Sequence, residues 1–116
     1  MDTRPGMPPT VDGLAQGFGP LALGSITELP VTCRGGVPGD AAAAVLNVTA
    51  TEAQGPGYLT VFPCGSPVPN AANLNYLAGD TVPNAVLAKI GDGGKICVYT
   101  INTTHVVVDL NGWFPG

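Results

Sequence analysis

From residue 25 onward the chain reads as seven short β-type runs, at 25–32, 42–51, 57–63, 71–77, 84–90, 95–101 and 105–114, each bounded by Gly, Pro, Asn or Asp. No run carries an apolar stripe at helical spacing. Local helix formers do occur in "DAAAAVLNV", but the β-branched continuation "VLNVTAT" and the preceding "GGVPG" favour a strand there. Short strands without crossover helices must pair antiparallel, so the expected fold is all-β: a compact antiparallel β-sandwich of about seven or eight short strands.

A second architecture competes with the sandwich. Leu-Asn recurs at Leu46-Asn47, Leu74-Asn75 and Leu110-Asn111, each time near the end of an apolar strand and after an earlier one. Three similar hairpins would pack as a pseudo-threefold, trefoil-like barrel, with Leu facing the core and Asn facing away. The intervals of 28 and 36 residues are uneven, which keeps the sandwich first. The segment "KIGDGGKI" reads as a tight hairpin in which Gly91, Asp92, Gly93 and Gly94 supply the turn, so the fifth and sixth strands are expected to pair antiparallel. Residues 1–20 hold four prolines and four glycines with no steady period, and are expected to form an extended arm laid over the body.

Length and charge narrow the functions open to the chain. With 116 residues there is material for one core, hence one module spanning 1–116. Charged residues make up 10%, and the net charge is −4. Arg4, Arg34, Lys89 and Lys95 are scattered, so a phosphate-binding cluster is missing and nucleic acid is excluded as a partner. Mean hydropathy is +0.29, yet no apolar run approaches the length of a membrane-spanning helix. Apolar surface is then expected to be hidden against other copies or neighbouring domains. No signal peptide is visible, and "MDTRPG" begins abruptly, as in a mature chain or one excised from something longer.

The chemistry available is sparse. His105 is the one histidine, and on a strand it lies about 13 Å from Asp109 by the usual rise per residue, too far for a dyad. Zinc needs clustered ligands, which His105 with a single carboxylate does not supply, and no Cys-x-x-Cys spacing is present; for calcium, the Asp of "IGDGGK" or Asp109 with Asn111 offers oxygens, although glycine-rich turns hold Asp for backbone bonding. We therefore expect no cofactor, no metal and no catalysis. Cys64 and Cys97 occupy comparable places in "GYLTVFPCG" and "GKICVYTI", the natural pair for a bridge if those strands lie close; otherwise all three cysteines act as small buried hydrophobes. Cys33 is left over, a candidate intermolecular thiol.

"THVVVDLNGWF" alternates, with Val106, Val108 and Leu110 on one side and His105, Asp109 and Asn111 on the other. The candidate ligand face is Asn47, Asn73, Asn75, His105, Asp109 and Asn111, with Trp113 as a platform for a sugar ring. The competing reading of the asparagines is structural: near strand ends their amides bond free backbone groups. Asn47 and Asn102 also open Asn-x-Thr triplets.

Taken in order, "DTRPG", "VTCRGGVPGDAAAAVLNVTAT", "GYLTVFPCG", "NLNY" and "VDLNGWF" resemble a module repeated in secreted and surface proteins of actinobacteria, often beside peptidases, amidases or other exported domains. The resemblance implies an extracellular, all-β, non-catalytic accessory module, and it supports a Cys64–Cys97 bridge. Such modules begin with an apolar strand running into "DTR", of which only Met1 is present here, and Cys33 departs from their pattern. Asp2 and Arg4 of "DTR" and Arg34 of "RGG" are expected to make an internal ion pair and backbone bonds tying the arm to the body. Two functions follow: a secreted structural or adhesive module working through protein contacts, self-association included, or a lectin-like module holding cell-wall or capsular polysaccharide.

Overall fold

The computed structural model describes residues 1–7, 10, 14–34 and 36–116; Pro8, Pro9 and positions 11–13 of the expected arm, and Gly35 of "RGG", lie outside the described residues. Seven strands form in the expected order: β1 (Ile26–Pro30), β2 (Ala43–Thr51), β3 (Gly57–Pro63), β4 (Leu74–Tyr76), β5 (Thr81–Lys89), β6 (Lys95–Thr100) and β7 (His105–Phe114). They make two antiparallel sheets, β1-β6-β3-β4 and β5-β2-β7. The fold is thus an all-β sandwich.

Alternation places the core between the sheets. On the three-stranded side Ala44, Leu46, Val48 and Ala50 of β2 point inward beside Val86 and Ala88 of β5 and Val106 and Val108 of β7, all buried. Opposite them lie Leu59 and Val61 of β3, Ile96 and Val98 of β6, Leu29 of β1, and Leu74 and Tyr76 of β4. The Tyr76 hydroxyl is satisfied inside by Thr100 Oγ1 at 2.8 Å and by the Asn102 N–H at 3.1 Å. Gly57 makes room for that ring, since a Cβ there would come within 2.7 Å of the Tyr76 oxygen.

Two expectations fail. β5 and β6 do not pair: "KIGDGGKI" carries the chain from the three-stranded sheet to the four-stranded one through a 3-10 turn at Asp92–Gly94. The Ile90 N–H bonds Ala42, still on the first sheet, whereas the Gly91 N–H bonds Lys95 and the Asp92 N–H bonds Cys64, on the second. Gly91 presses on the Cys64 backbone, where no side chain fits. The same glycines that suit a hairpin suit this corner. The pseudo-threefold arrangement also fails, because β1 and β2, like β6 and β7, belong to different sheets; only β3 and β4 form one of the three expected hairpins.

The opening residues extend the three-stranded sheet. The Met1 ammonium donates to Val108 at 2.9 Å, the Val108 N–H returns a bond to Met1, and the Thr3 N–H reaches Val106, so Met1–Thr3 line the free side of β7. Gln16 then bridges Asp2 in parallel, and Leu21 bridges Thr104.

Candidate functional site

Cys64 and Cys97 are bonded, with Cα atoms 5.1 Å apart. Phe62 and Cys97 are register partners on β3 and β6, and both face away from the main core. They are nevertheless buried, in a second apolar cluster with Cys64 that Tyr99 packs against. The connection after Cys64 folds back, so that Thr60 Oγ1 donates to the Ala71 carbonyl and the Val61 N–H donates to Asn73 Oδ1 at 2.6 Å. Asn73 therefore completes the β3 ladder beyond the point where β4 stops, which is the backbone role weighed for these asparagines.

The sandwich divides the expected ligand face. Asn73 and Asn75 belong to the edge of the four-stranded sheet, with Asn75 opposite Tyr58. Asn47, His105 and Asp109 lie on the outer face of the other sheet, where Asn47 and Asp109 are register partners. Asn47 Nδ2 donates to Thr49 Oγ1 at 3.4 Å, and His105 Nδ1 lies 2.8 Å from Thr3 Oγ1. Asn111 and Trp113 do not continue that face.

The reason is a β-bulge. Val45 of β2 pairs with Gly112, but its neighbour Leu46 pairs with Leu110, so Asn111 is the extra residue on β7. Beyond it the alternation is reversed. Trp113 lies opposite buried Ala44, on the core-facing side, whereas Phe114 lies opposite Ala43 on the outer side. Both rings remain open to solvent, Trp113 at 42% and Phe114 at 53%.

The arm carries an ion pair within itself. Arg4 Nη2 lies 2.8 Å from Asp2 Oδ2, and Arg4 Nε donates to Asp2 Oδ1 at 3.0 Å. The hydrogen-bonded guanidinium holds the Asp2 carboxyl below its ordinary value, against burial that acts the other way, and raises Arg4 in turn. Arg34 stands apart from this pair and donates to the Pro30 carbonyl at 3.1 Å. A shallow pocket of about 120 Å³ lies beside Asp2, Arg4, Met7 and Gln16, below the ~300–1,000 Å³ typical of small-molecule sites. Cys33 is exposed and unbridged, in a left-handed conformation with φ of 62°.

Scarce lysines to blunt sheet edges already pointed to unpaired backbone, but sequence reasoning did not place it on β7. Met1–Thr3 cover β7 only along Val106–Val108, and among the described residues no backbone group bonds β7 on that side from Asp109 to Phe114. The other sheet edges are guarded: β5 carries Pro83 and Lys89, β1 ends on Pro30, and β4 is three residues long. The Asn-Gly step at 111–112 was the available signal for a bulge at this place.

Among the described residues no group of three His, Cys, Asp or Glu is placed to hold a metal ion, and no helix is long and apolar enough to cross a membrane. Comparison with protein-family profiles, with curated proteins and with solved structures finds no match.

Proposed function

We propose that the protein is a secreted, non-catalytic structural or adhesive module, of the kind its resemblance implies, that works through protein–protein contacts at the free edge of β7. The observation that supports this is the unguarded stretch from Asp109 to Phe114, which ends in two solvent-open aromatic rings. Unpaired N–H and C=O groups are a template for strand addition, and aromatic side chains beside them supply the apolar contact that fixes a partner. The bridge between Cys64 and Cys97 fits an oxidising compartment.

A lectin-like role is the second reading. It draws on Asn47 and Asp109 side by side on an outer face where Gly112 leaves open space next to Phe114.

Light scattering on the intact chain from micromolar to millimolar concentration, with and without reductant, separates the two. The contact reading predicts a mass that rises with concentration in both conditions; loss of the larger species on reduction would instead assign the link to Cys33. A constant monomer mass, together with retention on immobilised cell-wall polysaccharide that Phe114→Ala abolishes, would replace the first reading with the second.

A further inference from the structure

Resting on the contact reading above, we propose that the occupant of the β7 edge is the same edge of a second copy, in one antiparallel two-fold register that sets Leu110 of each chain opposite Trp113 of the other. Two strands can pair this way only if partner residues share a face and turn their backbone groups to the common edge. In a regular strand, residues three apart fail on both counts. The bulge at Asn111 removes the conflict.

Val106 and Val108 turn their backbone groups to the free edge, as their bonds to Thr3 and Met1 show, and alternation carries this orientation to Leu110. Past the bulge, the Phe114 carbonyl accepts from Ala42 on the β2 side, so the neighbouring Trp113 is turned back to the free edge. Leu110 shares a face with buried Leu46, and Trp113 with buried Ala44, so both side chains point to the core side. Met1 closes every register that needs Val108. Of those left, the register centred between Asn111 and Gly112 alone uses both outward-turned residues of each chain.

Complementarity extends beyond the backbone. The indole of Trp113 faces the core side of its sheet yet is half-exposed, and Leu110 of the second copy would lie against it. On the outer face Lys89, Ala43 and Phe114 form one row, which Asp109 of the second copy would continue. Neither Lys89 nor Asp109 has an ion-pair partner among the described residues, so an unpaired cation and an unpaired carboxylate come onto one row. The two Asp109 residues stay about 14 Å apart, because the bulge leaves four ladder steps between Asp109 and Phe114. Six residues per chain form a contact well below the ~800 Å² per partner of a stable interface, so the pairing is concentration-dependent.

Cross-linking tests the register. In a Cys33→Ser background, Leu110→Cys and Trp113→Cys proteins are prepared separately, then oxidised alone and mixed. Hydrogen-bonded antiparallel partners have Cα atoms about 5.5 Å apart, within reach of a disulfide. The mixture is expected to give several-fold more covalent dimer than either protein alone. A yield no higher than the separate proteins give would overturn the register; if the wild-type mass still rises with concentration and the Leu110 and Trp113 amides gain protection, the contact reading survives in another register of the same edge, and if neither happens, both fall. Charge reversal at exposed positions gives a second test that spares the core. Lys89 and Asp109 of the second copy stand about 14 Å apart on that row, so at low ionic strength Lys89→Asp or Asp109→Lys alone should weaken dimerisation about two-fold, and the two together should restore it; additive losses would also overturn the arrangement.

Discussion

Replacing both Cys64 and Cys97 by alanine removes a link between positions 33 apart in sequence. β3 and β6 are already joined up to the bridge by a hydrogen-bonded ladder, from Leu59 paired with Thr100 to Pro63 paired with Ile96, so the native sheet loses little. The main effect is on the unfolded chain, which regains the freedom of a closed loop of that length, worth about 3–4 kcal/mol in the chain-entropy account. For a chain of this size that is a fall in Tm on the order of 10–15 °C. The assay is thermal unfolding of wild type and double variant followed by circular dichroism. Because both cysteines are buried, reductant should act slowly on native wild type, and only protein refolded under reducing conditions should match the variant. A fall of less than about 3 °C would refute the reasoning, since it would mean that the bridge restricts the unfolded chain far less than its loop length implies.

Further outcomes follow from the core and the arm. Leu46 is fully buried at the centre of the three-stranded sheet, so Leu46→Ala should cost about 2–5 kcal/mol in denaturant unfolding. Leu87 lies one residue from Leu46's partner Val86 but on the solvent side, and Leu87→Ala should change stability by less than about 0.5 kcal/mol. Gly57→Ala drives a methyl group into Tyr76 and Ile101 and should cost about 1–3 kcal/mol by overpacking, measured the same way. The Asp2 carboxyl is held below its ordinary value by Arg4, so its contribution is complete above the unfolded value of about 3.9 and fades as pH falls through the lower folded one. Asp2→Asn should therefore flatten the acid limb of a stability–pH curve below about pH 4 and leave its slope at neutral pH unchanged.

Strand positions were legible because alternation and turn residues are local signals. "AAVLNVTAT" buries every second residue from Ala44 to Ala50, and Gly, Pro or Asn marks the ends of most runs. Sheet membership was not legible, because it depends on partners far away in sequence. Gly93 and Gly94 take positive φ, as a hairpin would require, yet they turn the chain between sheets. Periodicity within one strand likewise cannot place Asn73 relative to Asn47, and the two lie on different sheets. The bulge hid the orientation of Trp113: one inserted residue reverses the face of everything after it. The Leu-Asn repeat was right about the leucines, with Leu46 and Leu74 buried and Leu110 packed on the core, although Asn111 falls in the bulge and the threefold packing built on the repeat does not form.

Amide hydrogen exchange at Leu110 and Trp113 tests the contact reading most directly. Their N–H groups are turned to the open side of β7, whereas the inner-strand amides of β2 are held in ladders on both sides. The account predicts fast exchange at both positions in dilute solution and growing protection as the protein is concentrated, with the β2 amides unchanged. Exchange at Leu110 and Trp113 that stays the same at every concentration would contradict it.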